Sequence, residues 1–174
     1  MIKPRTLARR LAMQYCFMCD LNAEWNTWSL SDFLAAHCDL PTAADFAKEL
    51  VADTVAQHEA LDEQIGAVVK HWEVRRIAAV ERNILRVALA ELRAGKLDKK
   101  IIISEAIKLA DDFGDKNSGK FVNGLLDALA KNVAANGRQN VRVMIPLLDA
   151  LAKNVAAKAE FVSHGGAEDP ENTL

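Results

Sequence analysis

Apolar residues recur along most of this chain at the three- and four-residue spacing of an α-helix. The clearest stretch is EVRRIAAVERNILRVALAELRAG, whose apolar face consists of Ile77, Val80, Ile84, Val87, Ala88 and Leu92. Gly95 follows this face, and glycine is the residue type that most often comes directly after a helix. The pattern therefore predicts a long amphipathic helix that ends at Gly95.

Further helices are predicted before this one. The first runs from Arg5 to about Leu21, and WSLSDFLAAHC forms a short second helix that Ser29 or Ser31 caps. The helical pattern of residues 40–72 is too long for one ordinary helix. We therefore expect a break near Gln57–Leu61.

Two helices are predicted after Gly95. Residues 102–113 form one that stops at Gly114, and GKFVNGLLDALAKNVAA forms the last core helix, capped by Ser118 or Asn117. The one β-like run, Ile101–Ile103, is too short and too isolated for a sheet. The sequence therefore predicts an all-α fold.

The eleven residues LLDALAKNVAA at 125–135 return letter for letter at 147–157. One extra copy is too little for a solenoid, which needs at least about three repeats. We interpret residues 138–160 as a helical extension that duplicates part of the last core helix. Residues 161–174 are polar and contain Gly and Pro, as in a disordered tail. Residues 1–137 then form the core domain.

Length and charge narrow the class of protein. The chain has 174 residues, 51% of them hydrophobic, which is enough for one domain with a real core. The net charge of −2 argues against a general nucleic-acid polycation. However, Lys3, Arg5, Arg9 and Arg10 crowd the first ten residues, and no acid precedes Asp20. Such a basic end can bind an anion even on a slightly acidic protein.

The lengths of the apolar runs and the cysteines bear on where the protein is located and on whether it binds a metal. No apolar run approaches the roughly 18 residues of a membrane span, and no signal-peptide pattern is present. The odd number of cysteines, Cys16, Cys19 and Cys38, favours reduced thiols in a cytosol over a disulfide framework. A zinc site that adds His37 is the alternative, but adjacent His37 and Cys38 point in different directions on a helix.

The segment GDKNSGKF at residues 114–121 matches the phosphate-binding pattern G-x-x-x-x-G-K-[ST] except at its last position. Phe121 stands there and cannot hold Mg²⁺. Such a loop must also follow a strand, whereas the preceding SEAIKLADDF has helical periodicity. Nucleotide hydrolysis is therefore not predicted. None of the four histidines lies in a nucleophile motif, so we expect no catalytic residues.

Three longer motifs carry a family resemblance. RRLAMQYCFMCD, VERNILRVALAEL and IIISEAIKLADDFGDKNSGKFVNGLLD occur in this order and resemble successive signatures of the NusB family of bacterial transcription antitermination factors. The most specific match is F-G-x-x-x-S-x-K-F-V-N-G-x-L-D at residues 113–127. The resemblance covers about residues 5–132. It implies two small helical bundles packed across one another, and no enzymatic activity or cofactor.

The resemblance also implies partners. NusB-like proteins pair with the small-subunit ribosomal protein NusE and hold a short single-stranded boxA RNA within an antitermination complex on RNA polymerase. That role implies a cytoplasmic protein. A protein-only scaffold with weak or lost RNA binding is the alternative, because Thr6 and Leu7 stand where family members often have arginines. The family's domain also occurs fused to RNA methyltransferases, but this chain has no second domain for their cofactor.

In the family, the basic first helix and the loop before the last helix contact RNA. The positions of this chain that match are Lys3, Arg5, Arg9, Arg10, Asn117, Ser118, Lys120 and Phe121. The physics agrees, because a helix N-terminus presents free N–H groups to phosphate and an aromatic ring stacks on an unpaired base. A place in the core beside Leu125 is the alternative for Phe121.

Two further positions match the family's contacts with the ribosomal protein. Phe17 stands where the family often has Tyr, so it keeps the ring and lacks a hydroxyl hydrogen bond. Glu81 is the other, although an acid in the first turn of a helix is also favoured by the helix dipole. Arg82 and Arg86 are expected to solvate the outer face of the same helix.

Overall fold

The computed structural model describes residues 2–69 and 73–135. All regular elements in these ranges are helical, which confirms the predicted all-α fold. The α-helices are α1 (Pro4–Asn22), α2 (Leu30–His37), α3 (Pro41–Val68), α4 (Ala79–Ala94), α5 (Lys99–Phe113) and α6 (118–135, where the described residues end). A short 3₁₀ turn, Val74–Arg76, precedes α4.

The described residues up to Val133 form one compact unit. The helical extension predicted at 138–160 and the tail predicted at 161–174 lie outside the described residues. Their assignment therefore stays a prediction. None of the helices in the described ranges combines the length and the hydropathy that a membrane crossing requires.

The compact unit contains two hydrophobic cores. The N-terminal core is built from α1, α2 and the first half of α3, and the C-terminal core from the second half of α3 together with α4, α5 and α6. Helices other than α4 bury mainly one stripe each, so both cores exist because helices pack their buried faces together.

The break predicted near Gln57–Leu61 is wrong, because α3 runs without interruption over 28 residues. Its first half supplies Leu50 and Val51 to the N-terminal core, and its second half supplies Leu61 and Ile65 to the C-terminal core. No proline interrupts the helix after its first turn. A helix that serves two cores in succession can exceed the ordinary length.

Helix α4 is the central element, since residues 83–92 are all buried. Gly95 ends it in the left-handed conformation (φ 64°), as the sequence predicts. Arg86 is only 3% exposed and pairs with Asp62 at 2.7 Å and with Asp20 at 3.0 Å. Arg82 also binds Asp20, at 2.6 Å. The expectation that both arginines solvate an outer face is wrong, because they pair with the half-buried acids Asp20 of α1 and Asp62 of α3.

The cysteines of α1 are part of the packing. Cys16 and Cys19 are buried free thiols in the N-terminal core, and Cys38 is half-buried and also free. Burial raises the pKa of the Cys16 thiol well above its ordinary value. Because the thiolate is the metal-binding form, this burial makes Cys16 a poor ligand. The described residues contain no group of three or more His, Cys, Asp or Glu side chains that could hold a metal.

The Asp20 cluster gives a prediction about acid stability. Burial alone would raise the pKa of Asp20, but hydrogen bonds from Arg82 and Asn83 hold that pKa below its ordinary value of 3.8. A carboxyl with a lowered native pKa stabilises the fold above its ordinary pKa and loses that contribution as the pH falls through the native one. Asp20→Asn should therefore lower the free energy of unfolding by about 3 kcal/mol at pH 7.

The difference between wild type and Asp20→Asn should shrink as the pH falls below 3.8. Denaturant unfolding at a series of pH values measures it, and the exposed Asp32→Asn is the control for one lost carboxylate. A stability difference that does not change with pH would contradict the assignment.

Candidate nucleic-acid interface

The loop between α5 and α6 is organised around the hydroxyl of Ser118. This side chain is 2% exposed, and its Oγ donates a hydrogen bond to the Glu81 carboxylate. The same oxygen accepts from the Asp115 N–H at 2.7 Å, and the Asn117 N–H donates to Asp115 Oδ1 at 2.7 Å. The first turn of α6 is thus bonded to the first turn of α4 through the buried Glu81 side chain.

Gly114 is required by the close approach of α5 and this loop. A Cβ atom at Gly114 would lie 2.4 Å from the Ser118 side chain and 2.7 Å from the carbonyl oxygen of Ala110. Neither the backbone nor the buried serine can move away cheaply, so only glycine fits. The phosphate-loop pattern in this segment therefore has a packing explanation, and the helix α5 stands where a nucleotide-binding loop needs a strand.

The loop exposes some of the predicted RNA-binding residues and buries another. Asn117 and Lys120 are exposed, and Phe121 is 38% exposed. Ser118 is buried, so its side chain holds the loop and does not face solvent. Val122 and not Phe121 is the first buried apolar residue of α6, because Val122 is 0% exposed. The ring of Phe121 thus belongs to the surface.

Arg9, predicted to contact RNA, is buried in this structure. It is 4% exposed, and its guanidinium donates to both carboxylate oxygens of Glu91 at 2.6 and 2.9 Å. Glu105 lies 3.7 Å from the same guanidinium. A carboxylate as buried as Glu91 needs a partner cation, which explains why Arg9 turns inward. The positive charge of Arg9 is therefore paired with Glu91 inside the fold.

Arg10 lies on the side of α1 that faces the end of α5. Its guanidinium is 3.0 Å from the carboxylate of Asp112 and 5.2 Å from the centre of the Phe113 ring. Asp111, the preceding residue, lies against Gly119 in the first turn of α6. Arg10 therefore borders the same surface as the loop at residues 114–118.

Lys3 and Arg5 occupy a different side of α1. Both are exposed and line a cleft of about 800 Å³ between α1, α3 and the turn after α4. The Arg5 guanidinium lies over the Phe46 ring, 5.4 Å from its centre. Of the four predicted cations near the N-terminus, Arg9 is thus buried and Arg10 lies beside α5. Lys3 and Arg5 lie beside α3.

Thr6 stands where the resemblance implies further positive charge, and it has a structural contact. Its hydroxyl donates to the Glu105 carboxylate at 2.6 Å and so ties α1 to α5. Burial alone would raise the pKa of Glu105, but hydrogen bonds from Lys108 and Thr6 hold it below its ordinary value. Thr6 thus stabilises the ionised acid between the two helices.

The two predicted partner-binding residues have different environments. Phe17 is half-buried and lines an apolar groove of about 430 Å³ between α1, α2 and the ends of α4 and α5. Its other lining residues include Met13, Met18, Phe33, Val80 and Phe113. Glu81 is 8% exposed and bonded to Ser118, so it lies beneath the loop. Phe113 connects the groove with the surface around Arg10, because it lines the groove and its ring lies under the Arg10 guanidinium.

Sequence reasoning missed the groove and the bond between Glu81 and Ser118. Phe33 and Phe113 come from helices about 80 residues apart, and periodicity within one helix does not show which helices meet. One signal was present: Glu81 and Ser118 both fall in first turns of helices, where short polar side chains seek N–H and hydroxyl partners.

These features define a small all-helical protein with cations at the start of α1 and an exposed aromatic ring in the first turn of α6. A model of the NusB family matches residues 6–131. The chain is 37% identical over 134 residues to transcription antitermination protein NusB of Anaeromyxobacter dehalogenans strain 2CP-1, covering 76% of this chain and 94% of that protein. It is 36% identical over 129 residues to the NusB of Bdellovibrio bacteriovorus, with 73% and 95% covered.

Solved structures agree with the sequence comparison. The solution structure of NusB from Aquifex aeolicus superimposes with a TM-score of 0.68 at 30% identity, covering 78% of this chain and 93% of that one. A crystal structure of antitermination factors NusB and NusE in complex with dsRNA gives 0.67 at 31% identity, with 76% and 99% covered. The chain therefore belongs to the NusB family, whose members are transcription antitermination proteins and not enzymes.

The buried bond of Ser118 gives a prediction about the loop. Ser118→Ala leaves the Glu81 carboxylate without its hydroxyl donor, so the free energy of unfolding should fall by about 1–3 kcal/mol. Amide exchange in residues 114–120 should become faster, because the loop loses the contact that holds it. The control is Ser104→Ala, which removes an exposed hydroxyl from α5. Unchanged stability and unchanged exchange would show that the bond does not hold the loop.

Proposed function

We propose that this protein is a transcription antitermination factor that binds single-stranded boxA-type RNA together with the small-subunit ribosomal protein NusE. It would act in the cytoplasm, as part of an antitermination complex on RNA polymerase. The observation that carries the proposal is the exposed Phe121 ring beside Lys120, in the first turn of α6, which the buried bond of Ser118 holds. The solved structure of NusB and NusE in complex with dsRNA supports NusE and RNA as partners, and the choice of a single strand rests on the exposed ring.

Phe121 suits an unpaired base. Its ring is 38% exposed, while the neighbouring Val122 anchors α6 in the core. Base–aromatic stacking contributes about 1–3 kcal/mol per base and needs a base that is free of its own helix. Because Ser118 bonds to Glu81 and Asp115, the start of α6 holds the ring in place before RNA binds, which lowers the entropy cost of binding.

Charge would come from residues around this ring and along α1. Lys120 is exposed next to Phe121, and Asn117 offers an amide from the loop. Lys3 and Arg5 are exposed at the start of α1. Arg10, also on α1, lies beside the end of α5. Arg9 would act indirectly, because its buried pair with Glu91 fixes α1 against α4 and so sets the positions of its neighbours.

NusE would dock on the groove lined by Phe17. The groove is mostly apolar and contains three phenylalanines and two methionines, which are residue types enriched at protein interfaces. Glu81 would contribute through the loop that it holds, more than by direct contact, since it is 8% exposed.

One observation favours a second candidate, a protein-only scaffold. Of the four predicted cations of α1, Arg9 is neutralised inside the fold and Arg10 is paired with Asp112. The charge available to phosphate is then smaller than the sequence suggests. RNA affinity measured with and without NusE separates the two candidates, because a scaffold would bind NusE alone.

The stacking role predicts a loss that salt does not change. Phe121→Ala should weaken binding of a boxA-type RNA oligonucleotide by about 1–3 kcal/mol in the presence of NusE, with little change in the salt dependence. Fluorescence anisotropy over a salt series measures both quantities. Ile101→Ala is the control, because it removes an exposed apolar side chain from α5. Equal RNA affinity of Phe121→Ala and wild type would refute the stacking role.

If Arg5 and Lys120 contact phosphates, their neutralisation should change the salt dependence of RNA binding. Arg5→Gln and Lys120→Gln should each weaken binding to all single strands alike and reduce the salt slope by up to about 0.7, the value for one phosphate contact. Arg93→Gln, which neutralises an exposed cation at the end of α4, is the matched control. If both variants bind RNA as tightly as wild type at low salt, these two cations do not contact phosphate. If wild type binds NusE and no RNA, the protein is a scaffold.

A further inference from the structure

Helix α5 ends in two acids, and neither stabilises the helix that carries it. Asp111 and Asp112 are exposed, and the last turn of α5 contains no basic residue. The C-terminus of a helix carries partial negative charge, so acids there are unfavourable. Their presence therefore needs an explanation in what they face.

Asp112 faces Arg10. Its carboxylate lies 3.0 Å from one terminal nitrogen of the Arg10 guanidinium. The Nε of Arg10 is buried and has no hydrogen-bond partner among the described residues. The Phe113 ring lies beneath the guanidinium, 5.2 Å away, and limits where it can move. Arg10 is thus held in place with part of its donor capacity unused.

Asp111 faces the start of α6. A Cβ atom at Gly119 would lie 2.2 Å from Asp111 Oδ1, so this carboxylate rests against the first turn of that helix. Lys120 and Phe121 follow directly. The two carboxylates therefore lie next to Arg10 and to the first turn of α6, which are two groups that a phosphate would otherwise approach.

We propose that Asp112 limits the affinity of this protein for RNA by occupying the position on Arg10 that an RNA phosphate would take. The inference rests on the proposed function. For Arg10 to bind a phosphate, the carboxylate of Asp112 must first be displaced, and its negative charge then stays close to the RNA backbone. Arg10 therefore contributes less to RNA binding than its charge alone would provide.

The pair has a structural role as well, since it joins α1 to α5, but that role is small. The side chains of Arg10 and Asp112 are 35% and 54% exposed, and solvent screens such a pair. The same two helices are also joined by the part-buried hydrogen bond from Thr6 to Glu105, and Arg9 lies 3.7 Å from the same carboxylate. Removal of the Asp112 carboxylate should therefore leave the fold intact.

The test is the affinity of Asp112→Asn for a boxA-type RNA oligonucleotide in the presence of NusE. Affinity should rise by about three- to tenfold at low salt, and the salt slope should steepen by up to about 0.7, because Arg10 is free to neutralise a phosphate. The control is Glu63→Gln, which removes one exposed carboxylate from α3 and should change affinity less than twofold. Melting curves verify that both variants fold.

A double-mutant cycle with Arg10→Gln separates a local effect from a general change of charge. If Asp112 acts through Arg10, Arg10→Gln should cost more affinity in the Asp112→Asn protein than in wild type. An equal cost in both backgrounds, or no gain in Asp112→Asn while wild type binds RNA, would overturn this inference alone. If neither wild type nor Asp112→Asn binds RNA, the proposed function fails and this inference fails with it.

Discussion

The architecture depends on one constraint, the burial of ionised side chains on α4. Residues 83–92 are buried without interruption, yet the helix carries Glu81, Arg86 and Glu91 at 8%, 3% and 4% exposure. An unpaired charge at such depth would cost several kcal/mol, so each must have a partner from another element. Glu81 accepts a hydrogen bond from Ser118 at the start of α6. Arg86 pairs with acids of α1 and α3, and Glu91 pairs with a cation of α1. Pairing of these charges therefore sets where the surrounding elements lie.

This constraint separates residues that build the RNA surface from those that contact RNA in our proposal. Arg9 forms an ion pair with Glu91, and Ser118 donates a hydrogen bond to Glu81, so both position their neighbours. Phe121 and Lys120 are left outside as the exposed part of the same loop. A motif shared along a family thus mixes framework and contact residues, and burial distinguishes them.

Periodicity predicts the helices well because each helix buries a stripe. It predicts α4 with its end at Gly95, and the short α2, since both carry a clear local signal. It fails for α3, where two separate cores use one helix and no local signal marks the change. The pattern also treats Arg86 as a surface residue, because a charge looks the same in sequence whether it is solvated or paired. The partner of Arg9 is 82 residues away, and no local rule finds it.

The central claim is that RNA meets the loop at the start of α6. Photo-crosslinking tests it directly, with a boxA-type RNA that carries a thiouridine at each position in turn, bound together with NusE and analysed by mass spectrometry. The account predicts crosslinks within residues 117–121, with Phe121 among them, and further crosslinks on α1 near Arg10. Crosslinks confined to the groove of Phe17, or none on this protein while NusE is crosslinked, would contradict it.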